Sequence, residues 1–148
     1  INNIQINEAK EVIPMIDIQY TIETEQYGNK TGNRLFIPAN IFRKGFTTPD
    51  LKQRVQDIHI NYGYLDTDSI CLQIPEGYTI ESLPKTCQVT SSFGSFSSSL
   101  MIKDKEICII HRLLMHRGIY PKEIYKDFLE FRKQIAAQYS SKIILKKE

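Results

Sequence analysis

Alternating apolar and polar residues run through most of the chain and predict a protein built mainly from β-strands. The clearest stretch is residues 16–23, where Ile16, Ile18, Tyr20 and Ile22 alternate with polar neighbours. A period of two places one face of a strand on a core and the other in water. The same reasoning predicts further strands at residues 35–37, 55–60, 69–74, 78–83, 86–90 and 143–145.

Turn-forming residues divide these strands. Residues 74–77, Ile-Pro-Glu-Gly, fit a type I turn with proline second and glycine fourth. Residues 100–103 and 106–115 predict a hairpin that turns at Asp104-Lys105, and its strongly apolar second strand is expected to lie centrally. The serine-rich residues 91–99 predict an edge strand with a bulge at Gly94. Residues 43–53 indicate an irregular connection, with a brief helical turn near residues 47–50.

One helix is predicted, beginning near Pro121 and ending at Ser140-Ser141. Its apolar residues recur at spacings of four, three and four, which is the stripe of a helix with one buried face. They are Ile124, Phe128, Phe131 and Ile135. Because strands and helices do not alternate, the expected fold is mainly β: an antiparallel β-sandwich with one C-terminal α-helix. We expect residues 1–148 to be a single domain, and the C-terminal part of a longer protein.

Composition and charge argue against several classes of function. The 148 residues carry a net charge of +2, with basic residues spread along the chain, so a nucleic-acid partner is not expected. No apolar stretch reaches about twenty residues, so no transmembrane segment is expected. Three cysteines without a CxxC pair form neither a disulfide framework nor a zinc pattern. Whether two of Cys71, Cys87 and Cys108 form a disulfide stays open.

No catalytic, metal-binding or cofactor-binding residue is predicted from the sequence. Cys108 and His111 lie three apart on one strand and therefore face opposite sides. No cysteine begins a predicted helix, where the dipole would lower its pKa. The three histidines have unrelated spacings, and a glycine-rich phosphate loop is missing. A small cysteine hydrolase remains an alternative that only tertiary contacts could support.

Tyrosines near predicted turns offer a second kind of function. Tyr62, Tyr64 and Tyr78 could form a platform that binds a carbohydrate ring or a surface protein. The alternative, which we favour, is that they cover the ends of the sandwich.

A series of motifs resembles a known family. They are residues 34–42 (RLFIPANIF), 74–78 (IPEGY), 80–84 (IESLP), 93–96 (FGSF), and Tyr120-Pro121 opening the helix. In this order they resemble the C-terminal domain of unknown function that follows a transglutaminase-like core in exported proteins of certain Gram-negative bacteria. The resemblance spans about residues 13–145.

The resemblance implies a non-enzymatic accessory domain, since the Cys-His-Asp chemistry of such proteins belongs to the papain-like core. It also implies a periplasmic, cell-surface or secreted location. The expected partners are neighbouring domains of the same polypeptide, with a cell-surface protein or a glycan as alternatives. Apolar residues beside prolines and loops are the candidate contacts: Phe36, Phe42 and Tyr120.

Overall fold

A computed structural model describes residues 1–25, 27–42, 48–51 and 54–148. The described part contains twelve strands, one short 3-10 turn and one α-helix. The strands are β1 (Asn2–Ala9), β2 (Met15–Thr21), β3 (Asn29–Thr31), β4 (Arg34–Pro38), β5 (Ile58–Ile60), β6 (Tyr64–Gln73), β7 (Tyr78–Ser82), β8 (Cys87–Ser91), β9 (Gly94–Lys103), β10 (Glu106–Met115), β11 (Gly118–Tyr120) and β12 (Lys142–Lys147). The 3-10 turn is Lys122–Ile124 and the helix, α1, is Tyr125–Tyr139.

Two four-stranded sheets form the body of the domain. The main sheet has the order β6-β10-β9-β8 and the second sheet has the order β3-β4-β12-β7. Strands β5 and β11 form a short pair, and β1 and β2 form a separate hairpin. Neighbouring described strands are antiparallel throughout. The predicted fold class, antiparallel sheets with a single C-terminal helix, is confirmed.

Strand β10 joins the two hydrophobic clusters of the body. Every second residue of β10, from Ile107 to Met115, is buried and points to the same face. Ile107 and Ile109 pack with Ile143 and Leu145 of the second sheet. Leu113 and Met115 pack against α1. One face of the main sheet is therefore covered by the second sheet at one end and by the helix at the other.

The predicted apolar stripe lies on the 3-10 turn and α1 and faces the core. Phe131 and Ile135 are fully buried, while Ile124 and Phe128 pack at the margin of the same cluster. Three further residues broaden the buried face: Tyr125, Leu129 and Tyr139. The Asp57 carboxylate accepts a hydrogen bond from the Lys122 N–H (3.1 Å), which satisfies one of the free donors where the helical segment begins.

The predicted edge strand with a bulge at Gly94 is wrong. Residues 94–103 form β9, which lies between β8 and β10, and its pairing with both neighbours proceeds without a register shift. Glycine is required for another reason: at φ 149° a Cβ on Gly94 would lie 1.9 Å from the Leu114 carbonyl oxygen. Ser92 and Phe93 form the tight turn that precedes it.

Two other local predictions shift. The Tyr78 N–H donates to the Pro75 carbonyl (3.2 Å), so the turn comprises residues 75–78 and places Gly77, at φ 74°, third rather than fourth. Of the predicted strand 55–60, only residues 58–60 are extended. The predicted irregular connection at residues 43–53 falls largely outside the described residues, and residues 48–51 are not helical.

Replacing Ile135 with alanine should lower the free energy of unfolding by about 2–5 kcal/mol, because its fully buried side chain would leave a cavity between α1 and the main sheet. Chemical denaturation measures this change. The matched control is Ile119→Ala, which removes the same atoms from an exposed site and should change stability by roughly 0.5 kcal/mol or less. Equal losses in the two variants would contradict the assigned core.

Candidate functional site

The hairpin of β1 and β2 carries an apolar face that the body leaves uncovered. Ile6 lies opposite Ile18, and Glu8 lies opposite Ile16, so these side chains share one face. Ile6 and Ile16 are each 66% exposed, and Ile18 is 55% exposed. The expectation that residues 16–23 rest on a core is therefore wrong for these isoleucines, and β1 was not predicted. Alternation reveals an apolar face but not what covers it.

The hairpin touches the body through an aromatic pair. Tyr20 continues the face of Ile18, and its ring meets the ring of Phe42 edge-on at a centroid distance of 6.1 Å. Phe42 is held in place by Asn40, whose side-chain oxygen accepts a hydrogen bond from the Phe42 N–H (2.7 Å). Asn40 is itself fully buried. The buried side chain of Asn40 thus positions Phe42, which contacts the hairpin at Tyr20.

A row of polar side chains crosses the core face of the main sheet. Cys87 pairs with Ser98, Ser98 with His111, and His111 with Asp68, one residue from each of the four strands. Residues directly opposite one another on antiparallel strands point to the same face. A thiol, a hydroxyl, an imidazole and a carboxylate are therefore aligned. Sequence spacing could not reveal this row because strand register creates it.

His111 is held in this row as a buried, neutral imidazole. The Asn40 amide donates to His111 Nδ1 (3.3 Å) and to the Asp68 carboxylate (3.4 Å). Because Nδ1 accepts, we assign the ring proton to Nε2, which is buried without a hydrogen-bond partner among the described residues. Burial lowers the pKa of His111, and the nearby Asp68 charge opposes this effect.

Aromatic side chains of α1 and β9 pack against His111 in this row. Tyr139 meets His111 edge-on at 5.1 Å, and Phe96 stacks on the imidazole at 5.8 Å. Burial raises the pKa of the Tyr139 hydroxyl well above its usual range, and the carboxylates of Asp68 and Asp66 add to the rise. Burial also lowers the pKa of Arg132 on the same helix.

The row has the residue types of a nucleophilic triad without the required geometry. Cys87 and His111 are separated by the intervening strand β9, which puts their backbones about 10 Å apart. Burial raises the pKa of the Cys87 thiol, whereas a catalytic cysteine needs a lowered one. His111 is only 1% exposed. His111 of this row provides a buried polar contact for Asn40, whose side chain in turn binds the Phe42 N–H.

The opposite face of the main sheet carries a disulfide. Cys71 of β6 and Cys108 of β10 lie directly opposite each other and are bonded, with their Cα atoms 4.1 Å apart. This answers the question that the sequence leaves open, and Cys87 is the free cysteine. As predicted, Cys108 and His111 face opposite sides of the sheet.

The three predicted contact residues have different surroundings. Phe42 is 40% exposed at the base of the hairpin. Phe36 is half-buried and alternates with Leu35 and Ile37, which face the core. The Tyr120 ring meets the Phe93 ring at a tilt of 55° with a centroid distance of 4.7 Å, and Tyr120 packs against the helix-side cluster. Phe42 is thus the one that adjoins the uncovered apolar face.

The three tyrosines of the suggested platform do not all meet. Tyr62 is 81% exposed, and Tyr64 begins β6 at the same end of the main sheet. Tyr78 packs instead against the cluster that contains Ile107 and Ile109. Leu72 and Ile74, at the other end of β6, pack against the same cluster. Ten residues of β6 separate these ends by roughly 30 Å.

Comparisons with known proteins identify a family and a fold. A family model described as Domain of Unknown Function with solved-structure structure (DUF3858) matches residues 33–145. The curated proteins include no match. The crystal structure of a putative protease from Parabacteroides distasonis ATCC 8503 is similar, with a TM-score of 0.61 and 10% sequence identity. This likeness, which shows the fold alone, covers 82% of the present chain and 24% of the Parabacteroides chain. No helix among the described residues is long and apolar enough to cross a bilayer.

The buried imidazole should make stability fall in mild acid. The pKa of His111 is below its ordinary value of 6.5 in the folded chain, so the unfolded chain takes up the proton first as the pH falls. The free energy of unfolding should therefore decrease as the pH falls through about 6.5 and continue to decrease until folded His111 is protonated. His111→Leu should flatten this dependence in urea titrations between pH 7 and pH 5.

The control is His59→Gln, which alters an exposed histidine of β5 and should keep the acid dependence of the parent chain. An unchanged dependence in His111→Leu would show that other groups cause it.

Proposed function

Since the chain belongs to the DUF3858 family of domains of unknown function, we propose that it is a non-catalytic accessory domain that packs on a neighbouring domain of the same polypeptide. The observation that carries this proposal is the uncovered apolar face of the β1–β2 hairpin, formed by Ile6, Ile16 and Ile18. The hairpin also lies before the first residue that the family model matches. It therefore stands apart from the family's own sheets and is suited to contact a neighbour.

Energetics favour a covered hairpin. A two-stranded hairpin alone in water is marginally stable at best. Full burial of each isoleucine side chain contributes roughly 1.5–3 kcal/mol. Within the described part of the chain, Tyr20 is the residue of this face that packs against the body, through Phe42. A neighbouring surface that covers Ile6, Ile16 and Ile18 would supply the missing stabilisation.

Charge indicates which surface the hairpin would contact. Residues 1–25 contain five carboxylates and a single lysine, whereas residues 26–148 have an excess of basic residues. Two hairpins facing each other would bring like charges together, which disfavours self-association through this face. The surface that fits is apolar at its centre and basic at its rim. We assign it to an adjacent domain, because the Parabacteroides chain of similar fold is much longer than this one.

We propose the identity of that neighbour on the basis of the family resemblance. The motif order resembles domains that follow a transglutaminase-like core, so that core is the neighbour we propose, in an exported protein. The Cys71–Cys108 bond supports an oxidising compartment such as the periplasm or the cell exterior. The closed geometry of the Cys87–His111–Asp68 row supports a role without catalysis. A Cys-His-Asp core encoded before residue 1 in the natural polypeptide is the expected finding.

The proposal predicts protection of the hairpin in the longer protein. Hydrogen–deuterium exchange of the β1 and β2 amides should be about tenfold slower or more in the natural full-length polypeptide than in residues 1–148 alone, because docking stabilises a marginal hairpin. The double variant Ile6→Lys and Ile18→Lys should abolish most of this protection, since it places two charges in the apolar contact.

The matched control adds the same charges to the other face of the hairpin. Gln5 and Gln19 lie opposite each other and alternate with the isoleucines. Gln5→Lys with Gln19→Lys should keep the protection. Equal exchange in the long and short proteins, or equal effects of the two double variants, would refute docking through this face.

A further inference from the structure

We propose that the Cys71–Cys108 bond is a site of reversible thiol–disulfide exchange, opened by a dithiol reductant that attacks Cys71 Sγ. This role is separate from hairpin docking, because the disulfide and the hairpin belong to different sheets. The proposal depends on three features of the main sheet: access to one sulfur, a scaffold that does not need the bond, and a carboxylate beside the other sulfur.

Access favours Cys71. Exchange requires a thiolate to approach a sulfur in line with the bond that breaks, so the open side of each sulfur decides which one reacts. Cys71 is exposed on β6, which is one of the two edge strands of the main sheet. An attack on Cys71 Sγ arrives from beyond this edge. An attack on Cys108 Sγ would arrive across β9, where Met101 is paired with Cys108.

The scaffold holds the two sulfurs together without the bond. Strands β6 and β10 pair over ten consecutive positions, from Tyr64 with Met115 to Gln73 with Glu106. On the reverse face of these strands, Ile70 and Ile109 are buried in the core. Reduction therefore leaves two thiols facing each other on a folded sheet, from which the bond can form again.

A carboxylate lies within 4.8 Å of both sulfurs and contacts Cys108 Sγ. Glu106 Oε2 lies 3.7 Å from Cys108 Sγ, and the other oxygen of Glu106 accepts a hydrogen bond from the Gln73 amide (2.9 Å). The Glu106 charge disfavours a thiolate on either cysteine. The carboxylate can in addition accept a hydrogen bond from the Cys108 thiol, which favours the protonated form of Cys108. Glu106 therefore slows the departure of Cys108 during opening and leaves Cys71 as the attacking thiolate during closure.

The reaction balances with a dithiol as the named reductant. One thiolate of the dithiol forms a bond to Cys71 Sγ, and the bond to Cys108 breaks with its electron pair on Cys108 Sγ, which takes up a proton. The second thiolate of the dithiol then attacks the sulfur of the first and releases Cys71, which is protonated in turn. The protein gains two electrons and two protons, and the dithiol becomes a disulfide.

The test uses the folded chain, with dithiothreitol as the reductant and peptide mass spectrometry of alkylated thiols as the measurement. The Cys71–Cys108 bond should be reduced without denaturant, at a rate that does not follow global unfolding in urea. It should form again when the reductant is removed. Cys87, which is half-buried, serves as the internal reference for slow alkylation. Glu106→Gln should open about two- to fivefold faster, whereas Glu130→Gln on α1 should open at the parent rate.

Single-cysteine variants, in which Cys87→Ser also removes the third thiol, test the assignment of the attacked sulfur. With oxidised glutathione as the probe, Cys71 in Cys108→Ser should form its mixed disulfide about tenfold faster or more than Cys108 in Cys71→Ser. Equal rates would overturn the choice of Cys71. A reduction rate that rises only in proportion to global unfolding would overturn the exchange role altogether and leave the bond as a structural cross-link.

Discussion

The buried face of β10 is the constraint on which the rest of the structure depends. Its alternate residues serve two clusters, one beneath the second sheet and one beneath α1. Ile107 and Ile109 belong to the first cluster, and Leu113 and Met115 to the second. A shift of one residue in the pairing of β10 would turn this whole apolar set outward. Partners on both sides of β10, ten pairs with each, fix that register.

This register also places the polar features of the domain. His111 occupies the position between the two halves of the apolar face, where the covering layer changes from sheet to helix. Its contact with Asn40 connects the core to Phe42 and, through Tyr20, to the hairpin. On the reverse face, the same pairing brings Cys108 against Cys71. The buried contact between His111 and Asn40 and the exposed Cys71–Cys108 bond thus both follow from the register of β10.

The sequence predicted the elements that depend on local patterns. The helix, the 104–105 hairpin turn and the central position of β10 follow from spacing and turn chemistry, and the structure confirms them. The features that were predicted wrongly or not at all depend on contacts between residues far apart in the sequence. Position 94 requires glycine because the Leu114 carbonyl of another strand leaves no room for a Cβ atom. The Cys87–Ser98–His111–Asp68 row needs four strands in register, and the exposure of Ile16 and Ile18 depends on a covering layer that alternation does not describe.

Docking of the β1–β2 hairpin is tested most directly by the solvent exposure of Ile6, Ile16 and Ile18 in the natural full-length polypeptide. Methyl-labelled isoleucines can be observed by NMR while a soluble paramagnetic agent is titrated. Docking of the hairpin on a neighbouring domain predicts strong relaxation of these three methyl groups in the isolated chain and weak relaxation in the full-length protein, with exposed Ile119 relaxed equally in both. Strong relaxation of all three hairpin methyl groups in the full-length protein would contradict it.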